Sequence, residues 1–367
     1  MANSLYLFND PQLIEQLRPI CDHRPLSEII LGTSTISQKW AKEFDIIQEP
    51  RDENCLQILG SLLPQESYLP TLKNLRTGEG LYKNNQLVAF RGNRQQITTK
   101  IQISEAHLIE FPEDILTYQK EYLPKEIRPE AFDLSKLREL GNQIIEPSHC
   151  FIHPTATIKG SILDASKGPI YVGEGVEIQI GSLIQGPAAL LKNSITNLGA
   201  KIRPFTTIGE NCKVGGEISY SILHAHSNKA HDGYLGNSVI GSFCNFGALS
   251  NSSNVRNDLK NISLYDYSTK SFRQTSVKSI GLITGDYITT GIGTQFNTAT
   301  SIGSHCNITS HQFPEKYIPA FTWGQAPQFS KFKLKKAIEI ATTWSIAKGE
   351  NLSEKARKRI HEIWKEV

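Results

Sequence analysis

From Val172 to Tyr220 the chain keeps a six-residue beat: Val172, Ile178, Ile184, Leu190, Thr196, Ile202, Ile208, Val214, Tyr220. Seven of the nine are branched aliphatics, and glycine follows directly at Gly173, Gly209 and Gly215. Neither a helix nor an ordinary strand repeats every six residues, so the period belongs to a solenoid. Three hexads make one triangular coil. One aliphatic per side points inward, and stacked coils build a continuous apolar column. The beat returns at Ile240 and Phe246, and again at Phe296, Ile302 and Ile308. The pattern predicts a left-handed parallel β-helix of hexapeptide repeats over 146–327.

The remaining length allows other units around it. At 367 residues two or three domains fit. A net charge of +3 on 39 basic and 36 acidic residues makes no case for nucleic acid. No stretch approaches the ~18 apolar residues of a membrane-spanning helix. The N-terminus lacks a basic, apolar leader, and a cytoplasmic protein is expected. Cys21, Cys55, Cys150, Cys212, Cys244 and Cys306 are scattered without a C-x-x-C pair, which suits reduced thiols better than disulfides or a zinc knuckle.

Residues 1–145 alternate short apolar strands with amphipathic helices, the pattern of an α/β domain of the nucleotide-binding sort. Strands are expected at Leu5–Phe8, Asp45–Gln48 and Leu56–Leu63. Helices are expected after Asp10-Pro11, at Ile36–Phe44, at Glu113–Tyr122 and at Leu134–Leu140. Asn84-Asn85 marks a hairpin turn. There is no G-x-G-x-x-G and no Walker loop. Arg24 and Lys39 are the cations placed to hold a triphosphate; a loop ion pair with Glu28 and a solvated helix lysine explain them equally well.

Pro147–Pro154 reads as a linker, with coils from about Ile158. Ser221–Gly241 reads as an excursion from the repeat carrying His224, His226 and His231, and Asn251–Asn261 as a second polar loop. Past Trp323-Gly324 the pattern turns helical, with Gly349 as a stop and Ser353 as a cap, giving a helical tail over 328–367. Lys331, Lys333, Lys335 and Lys336 read as a solvated face.

The run from Asn228-Lys229-Ala230-His231 through Tyr234-Leu235-Gly236-Asn237 to Ile240-Gly241 resembles the acetyltransferase loop of the GlmU-like family, and is most similar to its alternative, Bacteroidetes-type branch. Ser166–Tyr171, Lys213–Glu217, Phe296-Asn297-Thr298 and Phe321–Gly324 resemble that branch too, as do Arg24-Pro25, Gly32, Thr35-Ile36 and Lys39-Trp40 near the N-terminus. The glycine-rich signature of sugar nucleotidyltransferases is absent, and the segment around 113–145 is short. The resemblance implies acetylation of glucosamine-1-phosphate by acetyl-CoA, followed by uridylyl transfer from UTP with Mg²⁺. It implies His231 as the general base and Arg203, Tyr234, Asn245 and Asn254 as sugar-phosphate contacts. Acetyl-CoA falls near Gly285, Gly291 and Thr298, with sites between the subunits of a homotrimer. Asp10, Asp45 and Asp52 are the carboxylates open as metal ligands.

Three other readings compete. The β-helix of a nucleotidyltransferase can serve only to trimerise it or sense ligand. The acceptor can be another amino-sugar or a sugar nucleotide. His226 and His231, five apart, also have the spacing of the zinc ligands in γ-type carbonic anhydrases.

Overall fold

The computed structural model describes residues 4–50, 54–310 and 312–367, so Asp52 lies outside the described residues. Asp10 accepts hydrogen bonds from the backbone N–H of Gln12 and Leu13, and Pro11 opens the helix Pro11–Gln16, as its sequence demands. The N-terminal sheet runs in the order Asp45–Ile47, Ser4–Phe8, Leu56–Leu59, Gln86–Arg91, Glu79–Lys83, Thr99–Ile103. Its first three strands are parallel; Gln86–Arg91 pairs antiparallel on both sides, and Asn84 takes the left-handed turn between its hairpin strands. The helix Pro112–Glu126 is longer than the sequence predicts.

The solenoid has three faces. The first is a nine-stranded parallel sheet from Cys150–Ile152 to Tyr317–Ile318. The second carries Thr157–Ile158, Glu177–Ile178, Ile195–Thr196, Lys213–Val214 and Asn228–Lys229, and resumes at Thr289–Thr290. The third runs from Gln143–Ile145 to Tyr234–Gly236 and continues at Asn251–Ser252 and Gln295–Phe296. Coiling therefore starts at Gln143, and the supposed linker contributes a strand of the first face. The inward residues are buried as the beat requires, from Val172, Ile178 and Ile184 to Val214. Each buried aliphatic contributes roughly 1.5–3 kcal/mol, so the column is the main source of stability in this half.

Two readings of the repeat are corrected. Tyr220 is not an inward residue: Ile202 pairs with Ile218, which takes the core position, while the Tyr220 hydroxyl donates to Leu116 O in the N-terminal domain. Ser221–Gly241 is not an excursion either. The coils shorten there, with Ile208 beside Leu223 and Leu223 beside Ile240, but every segment stays on a face. The true insertion is later. Between Ser252 and Ile283 the chain leaves the solenoid and forms the hairpin Ser263–Asp266/Ser271–Gln274. There Arg273 lies over the Phe111 ring and pairs with Glu113 at 2.7 Å.

The N-terminal domain is buried against the first face. One apolar cluster joins Leu5, Leu26, Ile29 and Leu116 to Ile222, Val239 and Ile283 of the solenoid and Ile280 of the insertion. The tail helices Leu334–Ala347 and Glu354–Glu366 close a further cluster around Phe321, Ala341, Ile360 and Ile363. They also reach the N-terminal domain, through Arg359 Nε to Asp22 O (2.7 Å) and Glu366 to Arg18 (2.8 Å).

Candidate functional site

His231 stands exposed at the corner between the second and third faces, on the turn from Asn228–Lys229 to Tyr234–Gly236. Gly233 has φ +125°, and a Cβ there would meet Ser250 O at 2.2 Å, so the close turn requires glycine. Asn197 Nδ2 donates to Ala230 O (2.8 Å) and Leu249 N to Asp232 O (2.9 Å), which ties the turn to the coils on either side.

Three of the expected sugar-phosphate contacts come together on the third face. Arg203 is more than half exposed and pairs with Glu217 at 3.2 Å. Asn254 Nδ2 donates to Tyr234 Oη (3.2 Å) and to Asn237 Oδ1 (2.6 Å). Burial, then the Glu217 charge, holds the Tyr234 phenol above its ordinary range, with Arg203 pulling the other way. Arg203 and Glu217 also line a groove of about 350 Å³ along this face, with Ile145, Ile162, Leu183, Gln185 and Lys201. The sequence alone does not mark Glu217 and Asn237 as site residues; strand register places Glu217 opposite Tyr234.

The other expected residues do not join them. Asn245 lies on the second face, in a column with Asn228 and Thr289, and accepts from Asn228 Nδ2 at 3.3 Å. Gly285, Gly291 and Thr298 follow the strands Ile283–Thr284, Thr289–Thr290 and Gln295–Phe296, so within one chain they occupy three successive corners of one coil. Gly285 faces Ser304 and Pro19 O in the domain interface. Thr298 edges a separate surface cavity of about 530 Å³ with Ser253, Arg256, Asn257, Asn297 and Lys316.

Arg24 and Lys39 form no triphosphate clamp. Arg24 crosses the domain interface to Asp286 and to Ser242 Oγ (3.1 Å), not to Glu28. Lys39 is buried, not solvated. Its ammonium pairs with Glu126 at 2.5 Å and donates to Leu31 O at 2.6 Å; desolvation lowers its pKa, and Glu126 opposes that. Both cations are spent on holding the loop between Arg18 and Gly32. That loop also joins the solenoid through Asp22 to Ser304 (2.7 Å), His23 to His305 (2.8 Å) and Ile30 N to His224 Nε2 (3.1 Å).

His226 and His231 do not share one site within the chain. His226 stacks on Phe243 at the corner between the first and second faces, one strand and one corner away from His231. Among the described residues no three of His, Cys, Asp and Glu converge as metal ligands. Asp10 is engaged as a helix cap, and Asp45 stands exposed at the sheet edge.

Residues 5–129 match a family model described as sugar nucleotidyl transferase. The bifunctional protein GlmU of Methanocaldococcus jannaschii is 38% identical over 109 residues, covering 29% of this chain and 26% of that one. The GlmU of Methanococcus aeolicus is 31% identical over 232 residues, 62% of this chain and 54% of its own length. A bifunctional sugar-1-phosphate nucleotidylyltransferase/acetyltransferase of Sulfurisphaera tokodaii is 28% identical over 216 residues, 57% and 53%. The chain thus spans about half, or less, of these relatives. Among solved structures, that of a putative acetyltransferase from Bacillus cereus overlays 60% of this chain and 96% of its own at 12% identity, with a TM-score of only 0.25. Residues 5–129 are thus similar to sugar nucleotidyl transferases, and longer stretches of the chain are similar to parts of bifunctional GlmU proteins.

Proposed function

We propose that this protein transfers an acetyl group from acetyl-CoA to the amine of glucosamine-1-phosphate. The observation that most supports this reading is the meeting of Arg203, Tyr234 and Asn254 on the face that begins at the His231 turn. The amine attacks the thioester carbonyl carbon, a C–N bond forms and the C–S bond breaks. The proton the amine loses passes to the His231 imidazole and then to the departing thiolate, which leaves as CoA thiol. A planar guanidinium such as that of Arg203 suits phosphate oxygens, and here it would exchange Glu217 for the sugar phosphate.

The N-terminal match supports a second transfer, of uridylyl from UTP to N-acetylglucosamine-1-phosphate with release of pyrophosphate. Magnesium commonly accompanies such chemistry. The described residues do not converge on a dedicated magnesium site.

The reading extends to assembly and location. Asn245 and the Arg203–Tyr234–Asn254 group lie on different faces of one prism, and a three-fold assembly sets the second face of one copy against the third face of the next. Six free, buried cysteines suit a reducing cytoplasm. No helix among the described residues is long and apolar enough to cross a membrane. The test runs the two half-reactions separately on purified protein. Thiol release from acetyl-CoA is expected only with glucosamine-1-phosphate present, and pyrophosphate release from UTP only with the acetylated sugar. A protein that releases no thiol contradicts the acetyl-transfer reading.

A further inference from the structure

The interior of the second face is apolar or a small hydroxyl in one coil after another: Ile158, Ile178, Thr196 and Val214 below, Thr290 and Ile308 above. At the coil that carries His231 the register puts Lys229 directly beside Val214, and the lysine is 1% exposed. Its ammonium donates to two carbonyls, those of His231 and Asp232 (3.2 Å to the latter). A cation thus stands inside the prism, directly behind the exposed turn.

Other coils close the same corner more simply. Ser161 Oγ donates to Lys159 O (3.0 Å) and Gln179 O (2.9 Å), and Ser182 Oγ donates to Asn197 O (3.2 Å). Ser250 Oγ donates to Gly247 O (2.7 Å), and Thr294 Oγ1 to Gly291 O (2.8 Å). Each hydroxyl sits just before the strand of the third face. In the His231 coil that place is held by Gly233, which has no side chain to give. A serine-type cap satisfies a corner without burying a charge, and burying a charge is costly unless it is paired and hydrogen-bonded. Corner closure alone therefore does not account for a lysine here.

We propose that Lys229 is a positioning residue for acetyl transfer: its buried ammonium turns the His231 and Asp232 carbonyls inward and so holds the His231 imidazole outward in one orientation. The inference rests on the acetyl-transfer reading above. Positioning of a general base acts on the chemical step and leaves substrate affinity alone.

The test compares Lys229→Met, which fills the volume without charge, with Lys229→Arg and the wild type. Expected for Lys229→Met is a folded protein with kcat for acetyl transfer down at least ~10-fold and KM for both substrates within about two-fold. Backbone amides of Asp232–Tyr234 should exchange faster, while the rest of the solenoid is unchanged. Lys229→Arg should recover part of the rate. A Lys229→Met protein with wild-type kcat and unchanged exchange at the turn overturns the proposal. If Lys229→Met does not fold, Lys229→Thr, the residue type of the same position at Thr196 and Thr290, takes its place. Failure of both to fold makes the lysine a requirement of the coil itself and overturns the proposal as well. A wild type without acetyl transfer refutes the parent reading instead, and the amide-exchange comparison still decides whether Lys229 orders the turn.

Discussion

At the residue scale Lys229 and the hydroxyl-capped corners differ in what they cost. Desolvation lowers the Lys229 pKa to about 8, against an opposing pull from Asp232. Its folded pKa lies below the 10.5 of the free side chain, so the unfolded chain binds more protons between the two values, and stability rises with pH through that window. Below pH 8 the full penalty applies, on the order of 1–3 kcal/mol. Lys229→Met should therefore be more stable than wild type in urea at pH 7 by about that amount, and the two proteins should converge toward pH 10.5. A variant less stable at pH 7 contradicts the burial argument. Little of this was legible in the sequence. Lys229 stands within the Asn228–His231 motif, but its inward direction follows only from coils shortened after Ile208, which a strict six-residue count cannot see.

At the scale of elements, the loop between Arg18 and Gly32 is the most informative. Read as sequence, its Arg24 and the nearby Lys39 fit a triphosphate clamp and a loop ion pair with a solvated lysine equally; their partners Asp286 and Glu126 are 262 and 87 residues away along the chain, beyond the reach of any local pattern. The same loop brings three neutral histidines into one interface, His224 and His305 buried and His23 partly so. His224 donates from Nδ1 to Ile240 O (2.8 Å) and accepts Ile30 N–H on Nε2, which fixes its tautomer. His23 and His305 meet nitrogen to nitrogen, so one donates and the other accepts. Burial, reinforced by Arg359, Arg24 and Arg18, lowers His23 to about 3. Burial also takes His224, beside Arg24, and His305, facing His23 and Asp22, well below the ordinary histidine range.

These depressed values make the interface acid-sensitive. Between pH 6.5 and about 3 the unfolded chain takes up protons that the folded one refuses. Stability therefore falls as pH drops, by about 1.4 kcal/mol per unit for each histidine. Urea midpoints taken from pH 7 to pH 4 should show this decline, and His224→Gln should reduce its slope. A midpoint that stays level over that range contradicts the arrangement.

At the scale of the whole molecule, the six-residue beat was enough to expect the solenoid, because an apolar column leaves a period that no other structure shares. Its two misreadings, Tyr220 and Ser221–Gly241, arise where coils drop residues at a corner without changing face. The hairpin insertion stayed hidden because Leu264 and Ile280 bury against the N-terminal domain, and the apolar column does not extend through them. The candidate site was legible as residue types, and three of its polar groups do meet, while Asn245 stands on another face of the same chain. Light scattering should accordingly give a mass near three times the 41.0 kDa chain; a monodisperse monomer contradicts a shared site.

The most direct measurement is the rate of thiol release from acetyl-CoA with glucosamine-1-phosphate, wild type against His231→Ala, at pH 7 and again at higher pH. His231 is exposed and outside the apolar column, so the variant should fold with stability within ~0.5 kcal/mol of wild type. Its rate should fall by a factor of ~10²–10⁴ and recover partly as pH rises, because more of the amine is then already deprotonated. Wild-type acetylation by His231→Ala at pH 7 would contradict the assignment of His231 as the base.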